Sequence, residues 1–425
     1  MIDIFDLNYD LSSENIGQLN KIDKFKGKNI LYGLTRFVVG FFVSFLRLRF
    51  NIFFLKKNDI NFLISSDNQF NALVDVFDEV GGRMSSISVG YNKLSYRSPD
   101  FFYYLFSLPF IFFFIFEYFK CNSDYKRKSM RICFDRYLLT YGIYIVTYIC
   151  YLINRPSLVF LSNDHCVWHR IALRIAIKLG IKTAYIQHAM VSQYFPRLEF
   201  DYAFLDGYES RCKYKIAPNC NVYLIGALRY SNFRKEKFDF SRMTIGVGFN
   251  SLDSIEYITC FIKKLISITN GDYNIIIRLH PKDKRMNKIQ HLKSDKVKFS
   301  DSKIEASKDF AMNIDMLIAG TTGLHLDIAL YGGISFMIKG WGEDYYGFID
   351  KGIVTLLDDI SLIKNITQFE FHSLINKTKE SLYLYDESLL FNNNESSLSL
   401  ISNVIFESGS KFNYDKKSNT YRYVD

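Results

Sequence analysis

No two of the seven cysteines, at positions 121, 133, 150, 166, 212, 220 and 260, form a Cys-x-x-Cys pair. An odd, scattered set argues against a disulfide framework and against a zinc site, and the expected compartment is reducing. The N-terminus, Met-Ile-Asp-Ile-Phe-Asp, opens acidic and lacks the basic and small-residue pattern of a cleaved signal, so secretion is not expected. No repeat of solenoid length is evident, and no RNA- or DNA-binding motif accompanies the formal net charge of +9, which ranks nucleic acid low as a partner. What is plentiful is apolar. With 48% apolar and 23% charged residues over 425 positions, the chain has an ample core and the length for two domains.

The positive charge is uneven. Lys21, Lys24, Lys26, Lys28, Arg36, Arg47, Arg49, Lys56 and Lys57 surround the apolar run Phe37 to Phe54, a pattern that suits an anionic membrane surface. Phe101 to Phe116 is apolar apart from its tyrosines and Ser107, but is short for a span and holds Pro109; Tyr137 to Ile153 is Tyr-rich and interrupted by Gly142. Buried helices of a large domain, peripheral membrane docking and true spanning are the readings open for these runs.

From Ser157 the text changes to a strand, turn and helix rhythm. Leu158 to Leu161 reads as a strand, Asp164 to Leu179 as a helix closed by Gly180, and Thr183 to Gln187, Tyr202 to Leu205 and Val222 to Ile225 as further strands. Thr244 to Phe249 opens a second half, followed by strands at Tyr273 to Leu279, Val297 to Phe299 and Met316 to Ala319. The predicted class is α/β, two Rossmann-like domains with a helical, aromatic-rich N-terminal region: 1–240, 241–390, and a polar tail over 391–425.

Two turns carry chemistry. Met316 to Ala319 ends at Gly320, where a missing Cβ lets a ligand approach, and Thr321 and Thr322 bring hydroxyls to the helix start near Gly323, where amide groups lack partners. A well-capped crossover reads the same way. The strand ending at Leu279 delivers His280-Pro281-Lys282-Asp283 at the carboxyl edge where open parallel sheets bind ligands, with Arg278 on the same strand face as His280.

These residues support a resemblance. Ile186-Gln187-His188 after a strand, Gly226-Ala227-Leu228-Arg229, Arg278-Leu279-His280-Pro281 and Gly320-Thr321-Thr322-Gly323 before a helix resemble, in order and spacing, the B-type-fold bacterial surface-polysaccharide glycosyltransferases. The nearest likeness is to capsule Kdo and sialic acid transferases and to glycerophosphate transferases of teichoic-acid type, over roughly residues 157 to 360. Ala189 stands where that pattern commonly has glycine, and Thr321-Thr322 replaces the more frequent serines, so the donor does not carry across.

The resemblance implies a nucleotide-activated sugar held by the C-terminal half and a glycan or lipid-linked acceptor held by the N-terminal half. With the basic apolar zone and the reducing compartment, the expected location is the cytoplasm, peripheral on the inner face of the cell membrane. Donor contacts are expected from Arg229, Asn250, Arg278, His280, Lys282, Gly320, Thr321, Thr322, Gly323, His325 and Glu343. His280 also steadies the leaving group, and His188 or Asp164, beside His165, is the expected base. The absence of an Asp-x-Asp sequence favours a metal-independent mechanism; the transfer is expected to be inverting, with the nucleotide-sugar as substrate and no cofactor. CMP heads the donor list; a CDP-alditol phosphotransferase, a sugar-nucleotide epimerase and a non-enzymatic membrane scaffold are the alternatives.

Overall fold

The computed structural model describes residues 2–14, 29–47, 59–86, 94, 96–97, 99–228, 243–251, 253–281, 283–387, 397–407, 412–415 and 420–423. The chain divides into two compact units, Met1–Leu228 with Phe391–Asp425, and Arg229–Leu390. Each is an α/β unit around its own parallel sheet.

Unit 1 contains β1 (Ile60–Ile64), β2 (Arg83–Ser86), β3 (Tyr96–Arg97), β4 (Leu158–Leu161), β5 (Lys182–Ile186), β6 (Tyr202–Leu205) and β7 (Asn221–Leu224). Unit 2 contains β8 (Thr244–Phe249), β9 (Asn274–Leu279), β10 (Val297–Ser300), β11 (Met316–Ala319), β12 (Ile334–Ile338) and β13 (Thr355–Leu357). The chain then returns to unit 1 as the hairpin β14 (Phe412–Asp415) and β15 (Thr420–Tyr423), whose second strand pairs in parallel with β7. Strand order is β14-β15-β7-β6-β5-β4-β1-β2-β3 in one sheet and β10-β9-β8-β11-β12-β13 in the other. In both sheets the order reverses once, between β1 and β4 and between β8 and β11. Helices cover both faces, so the central strands read as unbroken apolar runs such as Leu-Val-Phe-Leu and Met-Leu-Ile-Ala.

The N-terminal zone departs from the helical expectation. Ile60-Asn-Phe-Leu-Ile forms β1 inside the unit 1 sheet, between β4 and β2; an apolar run this short has no period that separates strand from helix. Between β3 and β4 the aromatic runs form helices Asp100–Ser107, Ile111–Lys120 and Phe134–Ile153. The last is the buried spine of this layer. Its Gly142 lies against the Tyr103 carbonyl, which a Cβ would overlap, and its amide donates to Ser107 Oγ (3.2 Å). Gly142 is therefore a close helix crossing, and the tyrosine run Tyr137, Tyr141 and Tyr151 is core.

The predicted polar tail is also structured where it is described. Helix Ser397–Ile405 buries Leu400, Ile401 and Val404, and Ser397 Oγ donates to the Ile225 carbonyl (2.6 Å). The apolar segment near the N-terminus is a helix over Ile30–Leu46, capped by Asn29. Of its flanking cations, Lys21, Lys24, Lys26, Lys28, Arg49, Lys56 and Lys57 lie outside the described residues.

Candidate functional site

Unit 2 gathers the loops that follow β8, β9, β11 and β12 at one rim, because these strands are all parallel. Ligands in open α/β sheets bind outside the carboxyl ends where strand order reverses, here between β8 and β11. Asn250 and Ser251 leave β8 at that point, Gly320 to Gly323 leave β11, and His280 leaves β9 one strand further out. His280 and the threonine pair thus share a rim, but β8 stands between them; two strand spacings put their origins roughly 10 Å apart.

The loops are laced together. Asn250 Nδ2 donates to the Thr321 carbonyl (3.4 Å). Asp253 is the hub: its carboxylate accepts the Asn250 amide (2.6 Å) and Trp341 Nε1 (3.0 Å), and its carbonyl accepts Arg285 Nη1 (2.8 Å). Arg285 in turn grips Asp283, holding that carboxyl below its ordinary range chiefly through the side-chain hydrogen bond. Sequence reasoning passed over Asp253 and Arg285. The only signal was an Asn-Ser-Leu-Asp-Ser turn pattern, whose Ser254 does cap the following helix.

Several expected donor contacts have other work. Gly320 gives its space to Trp341, not to a ligand: a Cβ there would lie 2.7 Å from the Trp341 carbonyl and 3.1 Å from its ring. Thr321 Oγ1 donates to the Glu343 carbonyl (2.7 Å) and accepts the Glu343 amide (3.1 Å), so this hydroxyl clasps two loops. Gly342, at φ +108°, is needed because a Cβ would approach Thr321 Oγ1 to 2.6 Å. Glu343 contributes backbone to the clasp and keeps an exposed side chain. Trp341 is buried against Phe249, Tyr257 and Phe261, out of reach of a stacking role. Asp344 accepts the Phe348 and Ile349 amides and so caps a turn.

Arg278 is buried too. Its guanidinium donates to Ser300 Oγ (2.6 Å) and the Glu305 carbonyl (2.8 Å) and lies over Phe310, tying β9 to β10 and the next turn in place of the donor contact expected. Helix Leu324–Leu330 has seven residues, and Thr322 Oγ1 accepts the Leu324 amide (3.3 Å) at its start. Asn250, Thr322 and Gly323 remain partly open at the rim, and His280 is exposed. Arg229 and Lys282 lie outside the described residues.

His325 is a structural post behind the loop, not a ligand contact. One ring nitrogen pairs with Ser335 Oγ (2.6 Å) and the other with the Gly320 carbonyl (2.8 Å). Burial pushes its imidazole down to about 4 from 6.5, outweighing the Gly320 contact. The native state therefore holds it neutral while the unfolded chain takes up a proton below about 6.5. The stability it confers is complete above that pH and is lost as pH falls towards 4, a loss of about 3 kcal/mol. Urea titrations at neutral pH and near pH ~4 should show this fall shrinking by that amount in His325→Asn. An equal fall in both proteins would assign the acid sensitivity elsewhere.

Unit 1 carries its own polar rim. Asn163 Oδ1 accepts the His165 and Cys166 amides, so Asn163 makes the turn after β4 and Asp164 is not the cap that its position suggests. Asp164 is buried, and its Oδ1 lies 2.8 Å from His165 Nδ1. Tyr185 and Tyr214 share a 2.9 Å hydrogen bond, and burial, then the Asp164 charge, drives both phenols well above 10. His165 is partly open and packs on Phe195 (4.8 Å). On the next strand Gln187 accepts the Asp206 amide and donates to Ser210 Oγ, locking the turn that presents His188. His169 is fully buried and pushed down to about 3, first by burial and then by the His188 charge.

No protein-family profile matches the chain, and no curated protein matches it in sequence. Solved structures do match in shape. A UDP-N-acetylglucosamine 2-epimerase superposes with a TM-score of 0.52 at 10% identity, covering 83% of this chain and 96% of its own. This is the glycosyltransferase B-type fold. A Listeria monocytogenes protein provisionally named as the same epimerase shares it, with a TM-score of 0.51 at 10% identity over 84% of this chain and 98% of its own. The glycosyltransferase SnogD from Streptomyces nogalater gives 0.47 at 10% identity over 83% and 100%. At such identities the likeness establishes the B-type fold and nothing about substrate.

Proposed function

We propose that the chain is a nucleotide-sugar enzyme, in the first place a glycosyltransferase, whose unit 2 holds the nucleotide and phosphate of the activated donor. The observation that carries this is the strand reversal between β8 and β11, with Asn250, Thr322, Gly323 and His280 leaving parallel strands at one rim held in place by Asp253. Cleaving a sugar–phosphate bond builds negative charge on the departing nucleotide. Fixed amide, hydroxyl and imidazole donors at the rim stabilise that charge more in the transition state than in the ground state. In this reading unit 1 supplies the base for the acceptor hydroxyl from Asp164 and His165, and the acceptor is a surface glycan or its lipid-linked precursor.

A 2-epimerase is the second reading, favoured by the two shape matches above one half. It uses the same donor rim but moves a proton on the sugar ring. Incubation with CMP-, UDP-, CDP- and GDP-sugars separates the two. A transferase yields free nucleotide that increases with acceptor; an epimerase interconverts the sugar in the absence of acceptor. Turnover of a CMP-sugar bears out the CMP expectation, and acceptor-free conversion of UDP-N-acetylglucosamine moves the assignment to the epimerase. Inertness toward the whole panel would sink both.

A further inference from the structure

Unit 1 exposes an apolar face that an ordinary soluble fold covers. Helix Ile30–Leu46 turns Gly33, Phe37 and Ser44 inward, yet its outward positions are also apolar: Phe42 is 59% and Leu46 is 83% exposed. A helix apolar on nearly every side belongs in a core or against lipid; apart from Thr35 and Arg36, which pairs with Asp135, this one turns apolar side chains to solvent. Its neighbour continues the pattern. Phe41 and Phe45 pack on Phe101 (both 5.4 Å), joining it to the segment Asp100–Lys120. There Phe112 is 80%, Phe116 59% and Phe119 76% exposed. Together these rings present on the order of 500 Å² or more, at the upper end of what monomeric soluble proteins show.

We infer that this face docks on an anionic lipid bilayer, lying in the interface without spanning it. Length and hydropathy alone would let Asp100–Lys120 cross a membrane. But the segment is broken by a 3-10 turn at Leu108–Phe110 containing Pro109, and its inner side is committed. Tyr103, Tyr104, Ser107 and Phe114 are buried against the rest of unit 1, with Tyr104 filling the space left by Gly40. One committed face and one bare aromatic face describe a segment that lies on a membrane.

Charge selects the occupant. Between positions 21 and 57 nine Lys or Arg residues stand against a single acidic residue, Asp23. Among the described residues, Arg47 and Lys120 are exposed at the ends of the two apolar helices, and the Lys120 ammonium lies 5.8 Å from the Phe116 ring centre. A second copy of the chain would set the exposed Arg47 and Lys120 against their like and be repelled. Anionic headgroups would pair with it, each such cation adding to binding within a Debye length of the surface.

The test is co-sedimentation of the full chain with vesicles of phosphatidylcholine alone or mixed with phosphatidylglycerol. Wild type should pellet with the anionic vesicles, less so at high salt, and poorly with phosphatidylcholine alone. The variant Phe112→Ser/Phe116→Ser/Phe119→Ser changes only exposed rings, so it should keep its circular dichroism and melting temperature. Its partition should fall at least about a hundredfold. Absence of pelleting by wild type overturns the inference, as does equal pelleting with both vesicle types. Concentration-dependent self-association that the triple variant abolishes also overturns it, giving the face to a second copy. None of these outcomes depends on nucleotide-sugar turnover.

Discussion

His165→Gln is expected to lower turnover by about 10²–10⁴-fold while leaving the donor KM nearly unchanged. A general base must present a free nitrogen to its proton donor and be held in one orientation by the other. His165 meets this description: Nδ1 is tied to Asp164, the ring rests on Phe195, and the side chain is partly open. Asp164 is buried and bonded to His165, so in the proposed reading it orients His165 and does not itself meet the acceptor. Asp164→Asn should therefore lower kcat without altering donor binding, since the amide keeps the buried hydrogen-bonding volume. The groups around the pair are Arg170, which donates to the Asp164 carbonyl, Tyr214, and His169 with His188 behind it. His188→Gln is the control. If it removes turnover and His165→Gln does not, the base is His188, and the Asp164–His165 pair only shapes the turn.

His280→Ala is expected to cost about 10²–10³-fold in kcat, the usual loss when one donor to a developing anion is removed. The residue is exposed, so the substitution should leave stability within about 0.5 kcal/mol. That separates it from Thr322→Val. Thr322 Oγ1 accepts the Leu324 amide at the start of helix Leu324–Leu330, and loss of that hydrogen bond costs about 1 kcal/mol, so reduced turnover in Thr322→Val mixes folding with chemistry. Thr322→Ser keeps the oxygen and should keep both. Normal turnover in His280→Ala would remove the β9 loop from the reaction.

The second Rossmann-like unit was legible nearly strand by strand, because buried parallel strands bounded by glycine and proline have an unmistakable text: β8 and β11 stand where Thr244 to Phe249 and Met316 to Ala319 were expected. The first unit was only half legible. Its β1 to β3 come from short segments before the aromatic helices, and its outermost strands are supplied by the end of the chain, a long-range pairing that local pattern cannot reveal. At the site, residue types were readable but their partners were not. Arg278, Thr321 and His325 carry the chemistry of a phosphate contact, yet Ser300, Glu343 and Ser335 claim them, and these partners lie 10 to 22 residues away. Asp253, which joins the loops, carries no mark in the sequence that sets it apart from a turn residue.

The central claim is that the carboxyl rim of unit 2 grips the phosphate of a nucleotide. Its most direct test is thermal unfolding of wild type and His280→Ala with CMP, UDP or CDP and with the matching nucleosides. A ligand that binds only the native state raises the melting temperature. The account predicts a rise with at least one phosphorylated nucleotide, a much smaller one with its nucleoside, and loss of the difference in His280→Ala. Equal shifts with nucleotide and nucleoside, or a full phosphate-dependent shift that survives in His280→Ala, would contradict it.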